Sequence, residues 1–309
     1  MATHAAIFPG QGAQFVGMGR DVAAAHPAAA EVFRIADRVL GFPLSELCFN
    51  GPAERLEATD VQQPAIFVTS VALYRAAVAC GRITSEQFVA LGGLSLGEYT
   101  ALHIAGALPL EDALRVVQRR GQLMQEAADR TPGGMVSLLG LDEAQVLALC
   151  ERVAPHGQVR PANYNCPGQI VISGDRPACE AAAALAEEFG GRAVPLKVAG
   201  AFHSPHMQPA ADGLRPVLAA AAFGPPTVRV IANVDARYHG EPDAIRMSLV
   251  QQVTSPVRWQ ACVERLIADG VTEFYEIGPN RHLAGMLRKI DRRLKVTNLG
   301  TADDLTAAA

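Results

Sequence analysis

The 309-residue chain lacks the features that mark a membrane-spanning protein or a nucleic-acid binder. No uninterrupted apolar run reaches the roughly 18 residues that cross a bilayer, and the start Met1-Ala2-Thr3-His4 is not a basic leader followed by an apolar segment. The 27 Lys and Arg against 31 Asp and Glu leave a net charge of −4, which gives no basic excess for nucleic acid. We therefore expect a soluble, cytoplasmic protein that binds neither membranes nor nucleic acid.

The cysteines are equally uninformative about metals and disulfides. All six are scattered along the chain, and no C-x-x-C pair occurs among them. A disulfide framework or a zinc site requires closer or paired spacing. We expect no metal and no disulfide, and we expect small buried side chains at Cys48, Cys80, Cys150, Cys166, Cys179 and Cys262.

The most informative segment is the pentapeptide Gly93-Leu94-Ser95-Leu96-Gly97, which follows an apolar run at residues 88–91. A G-x-S-x-G sequence between a strand and a helix predicts a nucleophile elbow. The two glycines let strand and helix close around a sharp turn that leaves the Ser95 hydroxyl exposed above the sheet. The Leu96 amide, at the start of the helix, would then face an oxyanion. The alternative is a tight turn that exists for packing alone.

Alternating strand and helix patterns predict an α/β protein. We expect strands at 5–8, 228–231 and 272–277, and helices at 26–40, from Pro64 to about Ala77, and at 110–128, 206–220, 256–269 and 281–290. Between them, residues 135–198 show the order β-α-β-β-α-β, the split βαβ unit. The predicted fold class is an α/β-hydrolase-like large subdomain of residues 1–131 and 200–309, with an inserted ferredoxin-like (βαββαβ) subdomain of residues 132–199 and a cleft where they meet.

A serine nucleophile needs a base, and the chain offers eight histidines. His203 comes directly after the last strand of the inserted unit, where the chain returns across the expected cleft. His206 is its nearest rival, and we assign no role to the histidines elsewhere. No acidic residue stands in an obvious orienting position between elbow and histidine, unlike the Ser, acid, His order of ordinary α/β-hydrolases.

Six motifs occur in order along the chain: Phe8-Pro9-Gly10-Gln11-Gly12-Ala13-Gln14, Gly93-Leu94-Ser95-Leu96-Gly97-Glu98-Tyr99, Arg120-Gly121-Gln122-Leu123-Met124-Gln125, Asn163-Tyr164-Asn165-Cys166-Pro167-Gly168-Gln169, Gly200-Ala201-Phe202-His203-Ser204-Pro205, and Gln252 ahead of Ser255-Pro256-Val257-Arg258-Trp259. In these motifs the chain resembles the malonyl-CoA:acyl carrier protein transacylase family of fatty-acid and polyketide synthesis, from about residue 4 to 297. The resemblance does not separate the two pathways.

The resemblance implies a set of catalytic roles. Ser95 would attack a thioester carbonyl, and His203 would accept its proton and return it to the departing thiol. The backbone carbonyl of Gln252 would orient His203 in place of the missing acid. The backbone amides of Gln11 and Leu96 would form the oxyanion hole.

The resemblance also implies substrate contacts. Arg120 would hold the malonyl carboxylate, because a planar guanidinium offers paired donors to that anion. The alternative for Arg120 is a surface pairing with Glu98 or Glu126. Ala201-Phe202 matches the pattern associated with malonyl rather than methylmalonyl selection, since a bulky Phe202 leaves little room for an α-methyl group.

Three further positions concern the mouth and floor of the expected site. Asn163 and Asn165 would lie near the active-site mouth, or they would only form a turn before Pro167. Leu94 departs from the family, which usually has histidine directly before the nucleophile. A polar group beside the acyl end of the substrate is therefore replaced by an apolar one.

The predicted function is ping-pong transfer of malonyl from malonyl-CoA to the phosphopantetheine thiol of acyl carrier protein, through acyl-Ser95, with no cofactor. The alternatives are an acyl hydrolase acting on acyl carrier proteins, which Leu94 favours, and a carrier-binding subunit with a degenerate site. We expect a monomer. A local basic cluster is either a solvated helix face or a docking surface for the acidic carrier: Arg288, Lys289, Arg292, Arg293 and Lys295.

Overall fold

The computed structural model describes residues 3–306, and its strands form two separate sheets. The strands in chain order are β1 (His4–Phe8), β2 (Phe88–Gly93), β3 (Gly133–Leu139), β4 (Val159–Cys166), β5 (Gln169–Asp175), β6 (Arg192–Pro195), β7 (Arg229–Val230), β8 (Glu273–Ile277) and β9 (Lys295–Leu299).

Helices surround both sheets. They are α1 (Arg20–Ala25), α2 (Pro27–Leu40), α3 (Leu44–Asn50), α4 (Ala53–Glu57), α5 (Thr59–Ala79), α6 (Leu96–Ile104), α7 (Leu110–Arg130), α8 (Glu143–Arg152), α9 (Arg176–Leu185), α10 (Gln208–Ala220), α11 (Pro242–Thr254), α12 (Trp259–Ala268), α13 (His282–Ile290) and α14 (Ala302–Thr306). Short 3-10 turns lie at Ser85–Gln87, Ala154–His156 and Pro205–Met207. None of these helices, within residues 3–306, is both long and apolar enough to cross a membrane.

The larger sheet is parallel, with the strand order β7-β2-β1-β8-β9. Its central strand β1 is apolar from Ala5 to Phe8 because both of its faces are covered there: Ala6 and Phe8 join one core cluster, and Ala5 and Ile7 join the other. The strand order reverses at β1, which lies between β2 and β8. In open parallel sheets of this kind, the crevice at the carboxyl ends of the strands beside that reversal is where ligands bind.

The smaller sheet is antiparallel, with the order β4-β5-β3-β6. Its elements follow the chain order β3-α8-β4-β5-α9-β6. The apolar sides of α8 and α9 pack on one face of this sheet, in a core of their own built around Leu138, Val146 and Ile172. The predicted fold class, an α/β body with a smaller βαββαβ unit, is confirmed.

The predictions of helices from the sequence are wrong where prolines or polar residues interrupt the apolar pattern. The helix predicted to begin at Pro64 begins at Thr59, so Pro64 lies inside α5 and costs one backbone hydrogen bond in its second turn. Helix α11 was not predicted, because the preceding Gly240-Glu241-Pro242 suggests only a loop. The helix predicted from residue 256 begins at Trp259. Among the cysteines, Cys80 is exposed and Cys150 is half-buried, contrary to expectation.

Candidate active site

The elbow begins where β2 ends beside β1, with Phe8 paired to Gly93. Ser95 precedes α6 with φ of 51° and ψ of −98°, a backbone conformation that residues other than glycine rarely adopt. A Cβ on Gly93 would lie 2.0 Å from the carbonyl carbon of Gly97, and a Cβ on Gly97 would lie 2.1 Å from the Phe8 oxygen. Only glycine fits at both places, which is the close approach that the G-x-S-x-G pattern predicts.

The Ser95 side chain lies at the bottom of a cavity. The residue is 9% exposed, so the expectation of a hydroxyl standing free above the sheet is wrong. The smaller sheet and the segment after β6 cover it, since the same cavity is lined by Met135 of β3, Val171 of β5 and Leu196. Ser95 therefore lies in a partly enclosed cavity of about 350 Å³.

His203 is the histidine that the structure places beside Ser95. Its Nε2 lies 2.9 Å from the Ser95 Oγ, and its Nδ1 lies 2.8 Å from the backbone oxygen of Gln252. Because a carbonyl can only accept, Nδ1 carries the hydrogen and Nε2 is free to accept the serine proton. Burial, reinforced by the positive charge of Arg120, lowers the pKa of His203 to about 4. The imidazole is therefore neutral at pH 7 and available as a base.

His206, the rival histidine, faces away from the nucleophile. Its Nε2 lies 2.8 Å from Asp175 Oδ1 at the end of β5, and its Nδ1 is 3.4 Å from Ser204 Oγ. That hydrogen bond joins the smaller sheet to the 3-10 turn that follows His203. His206 thus connects two parts of the fold.

Arg120, on α7, is buried against Ser95, with 1% of its surface exposed. Its Nη2 donates to Ser95 Oγ and to Gln252 Oε1, both at 3.0 Å, and its Nη1 donates to Gln63 Oε1 at 2.6 Å. The guanidinium carbon also lies 5.2 Å from the centre of the Tyr99 ring. All three hydrogen-bond acceptors are uncharged, and Nε has no partner within residues 3–306. Burial lowers the pKa of Arg120, and Tyr99 opposes that shift.

The alternative interpretation of Arg120 as a surface residue is wrong. Glu126 pairs with the neighbouring Arg119 at 2.8 Å, and Arg119 is exposed at that position. Glu98 is fully buried and bonds to other groups. Arg119, one residue before Arg120 on α7, therefore makes the surface contact that the sequence allowed for Arg120.

The predicted oxyanion donors lie in two turns that pack directly on each other. Gln11 follows β1, and a Cβ on the preceding Gly10 would lie 2.3 Å from the backbone oxygen of Leu94. Leu96 is the first residue of α6, so its amide has no partner inside the helix. Neither of these amides donates a hydrogen bond to any group of residues 3–306. Both are free to bind a developing negative charge.

The remaining predicted residues line the cavity or lie behind its wall. Asn163 and Asn165 belong to β4 and face the cavity, while the turn is formed by the two residues after the strand, so the turn interpretation is wrong. Phe202 and Leu94 also line the cavity. The side chains of Leu96, Arg120 and Gln252 are not part of the lining; each is 1% exposed.

Sequence reasoning missed a set of buried polar side chains behind the site: Gln63, Glu98, Asn233 and His239. One signal was available, since Glu98 is the single acidic residue of α6 and lies in its first turn. Asn233 and His239 follow the two-residue strand β7, and nothing in their neighbourhood marks them. No group of three or more His, Cys, Asp or Glu in the described part of the chain is placed to hold a metal ion.

Comparison with known proteins identifies close relatives over the whole chain. The acyl transferase domain family model matches residues 6–302. The malonyl CoA-acyl carrier protein transacylase of Bacillus subtilis is 44% identical over 310 residues, which cover 100% of this chain and 96% of that protein. The protein of the same name from Escherichia coli strain K12 is 42% identical, with 100% and 99% covered.

Solved structures show the same fold. The acyl-carrier-protein-S-malonyltransferase of Bartonella henselae matches with a TM-score of 0.94 and 40% identity, covering 99% of this chain and 98% of that chain. A malonyl-transacylase in complex with its type II PKS acyl-carrier protein matches with a TM-score of 0.93 and 39% identity, again covering 99% and 98%.

Proposed function

The chain belongs to the acyl transferase family, and we propose that it transfers malonyl from malonyl-CoA to the phosphopantetheine thiol of an acyl carrier protein through acyl-Ser95. The observation that carries the proposal is the contact of one serine hydroxyl with both a neutral histidine, at 2.9 Å, and a buried arginine, at 3.0 Å. The first activates a nucleophile, and the second supplies a cation close to the reacting atom.

The first half-reaction forms the acyl-enzyme. Ser95 Oγ attacks the thioester carbonyl carbon while His203 Nε2 takes the hydroxyl proton. The carbon–sulfur bond then breaks, and His203 returns the proton to the departing thiol of coenzyme A. In the second half, the carrier's thiol gives its proton to His203 and attacks the acyl carbon. The ester bond between that carbon and Ser95 Oγ then breaks, and His203 returns the proton to the serine oxygen.

Two features favour the charges that develop in these steps. The imidazolium that forms at His203 keeps its Nδ1 donor on the Gln252 carbonyl, 2.8 Å away. The free amides of Gln11 and Leu96 are available to the tetrahedral oxyanion. The low pKa of His203 keeps the base unprotonated before substrate arrives.

Arg120 is suited to the short dicarboxylic acyl group. In a malonyl thioester a single methylene separates the carbonyl carbon from the carboxylate, so a cation beside the nucleophile is within reach of that carboxylate. A carboxylate is a stronger acceptor than the amide oxygens of Gln63 and Gln252 that Arg120 now contacts. Phe202, 4% exposed on the cavity wall, limits the space for an α-substituent. Asn163 and Asn165 offer side-chain amides on the cavity wall.

Helix α13 supports a place for the carrier protein. His282 and Met286 of this helix line the cavity, and Arg288 and Lys289 are exposed on its last turn. Carrier proteins are acidic, so basic side chains on the helix that lines the cavity would attract the carrier and help bring its phosphopantetheine arm to Ser95. The relative solved with its carrier protein supports such a partner for this chain.

We further propose the domain division expected from the sequence, in which residues 132–199 form the smaller unit. Strands β3 to β6 and their two helices fall inside these bounds, and that unit has its own core. The monomeric state and the cytoplasmic location stay predictions, and size-exclusion chromatography with light scattering tests the first.

The experiment is intact-mass analysis of the protein with malonyl-CoA, before and after addition of phosphopantetheinylated carrier. We expect a malonyl adduct that leaves this chain and appears on the carrier, and no adduct in Ser95→Ala. An adduct lost to water would instead support the hydrolase alternative. No adduct with any acyl thioester would support a degenerate binding subunit.

A further inference from the structure

Glu98 is a fully buried carboxylate that the proposed mechanism does not use. It lies three residues after Ser95, in the first turn of α6. Its Oε2 accepts hydrogen bonds from Gln252 Nε2 at 2.8 Å and from the Asn233 backbone amide at 3.0 Å. Its Oε1 lies 2.7 Å from His239 Nε2, and that side chain is 2% exposed. Burying a carboxylate is costly unless several donors surround it, as they do here.

Glu98 is connected to the base, His203, by hydrogen bonds through Gln252. The backbone oxygen of Gln252 orients His203, while its side-chain amide donates one hydrogen to Glu98 and the other to the Ser95 backbone oxygen at 3.0 Å. Because both amide hydrogens are engaged, Oε1 must point at Arg120, which donates to it. A carboxylate can only accept, so Glu98 fixes which way round this amide lies. That orientation serves both His203 and Arg120.

Glu98 is connected to the nucleophile, Ser95, by hydrogen bonds through Asn233. The Asn233 side chain accepts from the Ser95 amide at 2.6 Å and donates to the Gly93 oxygen at 2.8 Å, so it holds the backbone on both sides of Leu94. This is the turn in which Ser95 has its strained φ of 51°. A strained residue keeps its conformation only when its surroundings determine it. The side chain of Asn233 holds this turn, and Glu98 in turn accepts a hydrogen bond from the Asn233 backbone amide.

We propose that Glu98, held by His239, is a positioning residue for the acyl transfer: one carboxylate fixes Gln252 behind the base and Asn233 behind the nucleophile. It takes the place of the orienting acid that the sequence order lacks, with Gln252 between it and His203. This inference rests on the proposed function for its substrate, and on geometry alone for the reactivity of Ser95.

The test compares Glu98→Leu with Glu98→Gln, which keeps an acceptor oxygen for Gln252 and Asn233. The reference is Glu276→Leu, because Glu276 is also fully buried and bonds to backbone amides of α13 instead of this network. The measurements are the single-turnover acylation rate with malonyl-CoA, its KM, the melting temperature, and the rate of Ser95 modification by a fluorophosphonate, which requires no malonyl group.

We expect Glu98→Leu to lower both rates about 100-fold with little change in KM, because a misplacement of about 1 Å has that effect on a reacting pair. Glu98→Gln should stay within about tenfold of the parent rates, since it retains the acceptor. Rates for Glu98→Leu equal to those of the Glu276→Leu reference at matched stability would overturn the proposal. Equal rates for the Leu and Gln variants would overturn it too.

If Glu98→Leu does not fold, His239→Leu is tested instead, because this variant removes the hydrogen-bond partner of only one Glu98 oxygen. We expect modification of Ser95 about tenfold slower than in the parent, whereas parental rates would overturn the proposal. The fluorophosphonate also separates two failures. A parent protein that reacts with it and not with malonyl-CoA contradicts the proposed substrate and leaves the role of Glu98 testable.

Discussion

The two ends of α6 each involve a histidine anchored to a backbone carbonyl, yet only one end can do chemistry. At the first end, Ser95 meets His203, whose Nδ1 lies 2.8 Å from the Gln252 oxygen. At the last turn, His103 has its Nδ1 at 2.8 Å from the Leu108 oxygen. Burial lowers the pKa of both histidines to about 4.

The difference lies in what surrounds the rest of each imidazole ring. His203 Nε2 faces the Ser95 hydroxyl at the floor of a cavity, in a backbone conformation with φ of 58°. His103 packs its ring 5.9 Å from the ring centre of Phe67. A buried neutral histidine is therefore not by itself a base. A nucleophile within hydrogen-bond distance and an accessible cavity make it one.

The sharpest test substitutes the histidine at each end. His203→Gln should lower the acylation rate by about 1,000-fold, because the serine loses its proton acceptor. His103→Gln should leave that rate within about threefold, although it lowers stability. Quench-flow mass spectrometry with malonyl-CoA measures both. A large loss of acylation rate in a folded His103→Gln protein would contradict the conclusion that His203 alone of these two histidines acts as the base.

The second test concerns the cation at the first end of α6. Arg120→Met should lower malonyl transfer about 100-fold or more, since it leaves a carboxylate without its partner. Acetyl transfer should fall much less, through the lost contact with Ser95 alone. Arg119→Met is the matched control, because Arg119 is adjacent on α7 and pairs with Glu126 at the surface. Equal losses for malonyl and acetyl would contradict the assignment of Arg120 to the carboxylate.

The third test compares how protonation of His203 and of His103 changes the stability of the protein. A histidine whose pKa falls from 6.5 to about 4 on folding is protonated more readily in the unfolded chain. Stability is then full above pH 6.5 and is lost as pH falls towards 4, by at most about 3 kcal/mol per histidine. Urea unfolding of the parent, His203→Gln and His103→Gln proteins between pH 7 and 4 should show a shallower loss in each variant. An unchanged slope in either variant would contradict burial as the cause at that end.

The smallest effect is expected away from both ends of α6. Reversing Arg288 and Lys289 to glutamate should raise the KM for the carrier about threefold to tenfold at low salt and less at high salt. Acylation by malonyl-CoA should not change. Steady-state kinetics at two ionic strengths measure this. A carrier KM that stays at the parental value at low salt would favour the solvated-helix interpretation.

The elements that sequence predicted well are those with a strong local cause. The glycines around Ser95 and the apolar β1 and β2 fix the elbow, because only glycine fits where Gly93 and Gly97 touch and only apolar residues fill a strand buried on both faces. The βαββαβ order also follows from local periodicity. Helix α11 was missed, since a proline at its start and several polar residues along it obscure the pattern.

The sequence by itself was enough to predict Ser95 as the nucleophile, to choose His203 over the other histidines, and, through the family resemblance, to point to Arg120 and Gln252. Only the tertiary structure decided that Arg120 is buried, that Ser95 lies at the floor of a cavity, and that Glu98 joins Gln252 to Asn233. The reason is separation along the chain. Glu98 bonds to residues 135 to 154 positions away, and no local pattern records a contact that exists only when α6, the segment after β7, and α11 come together.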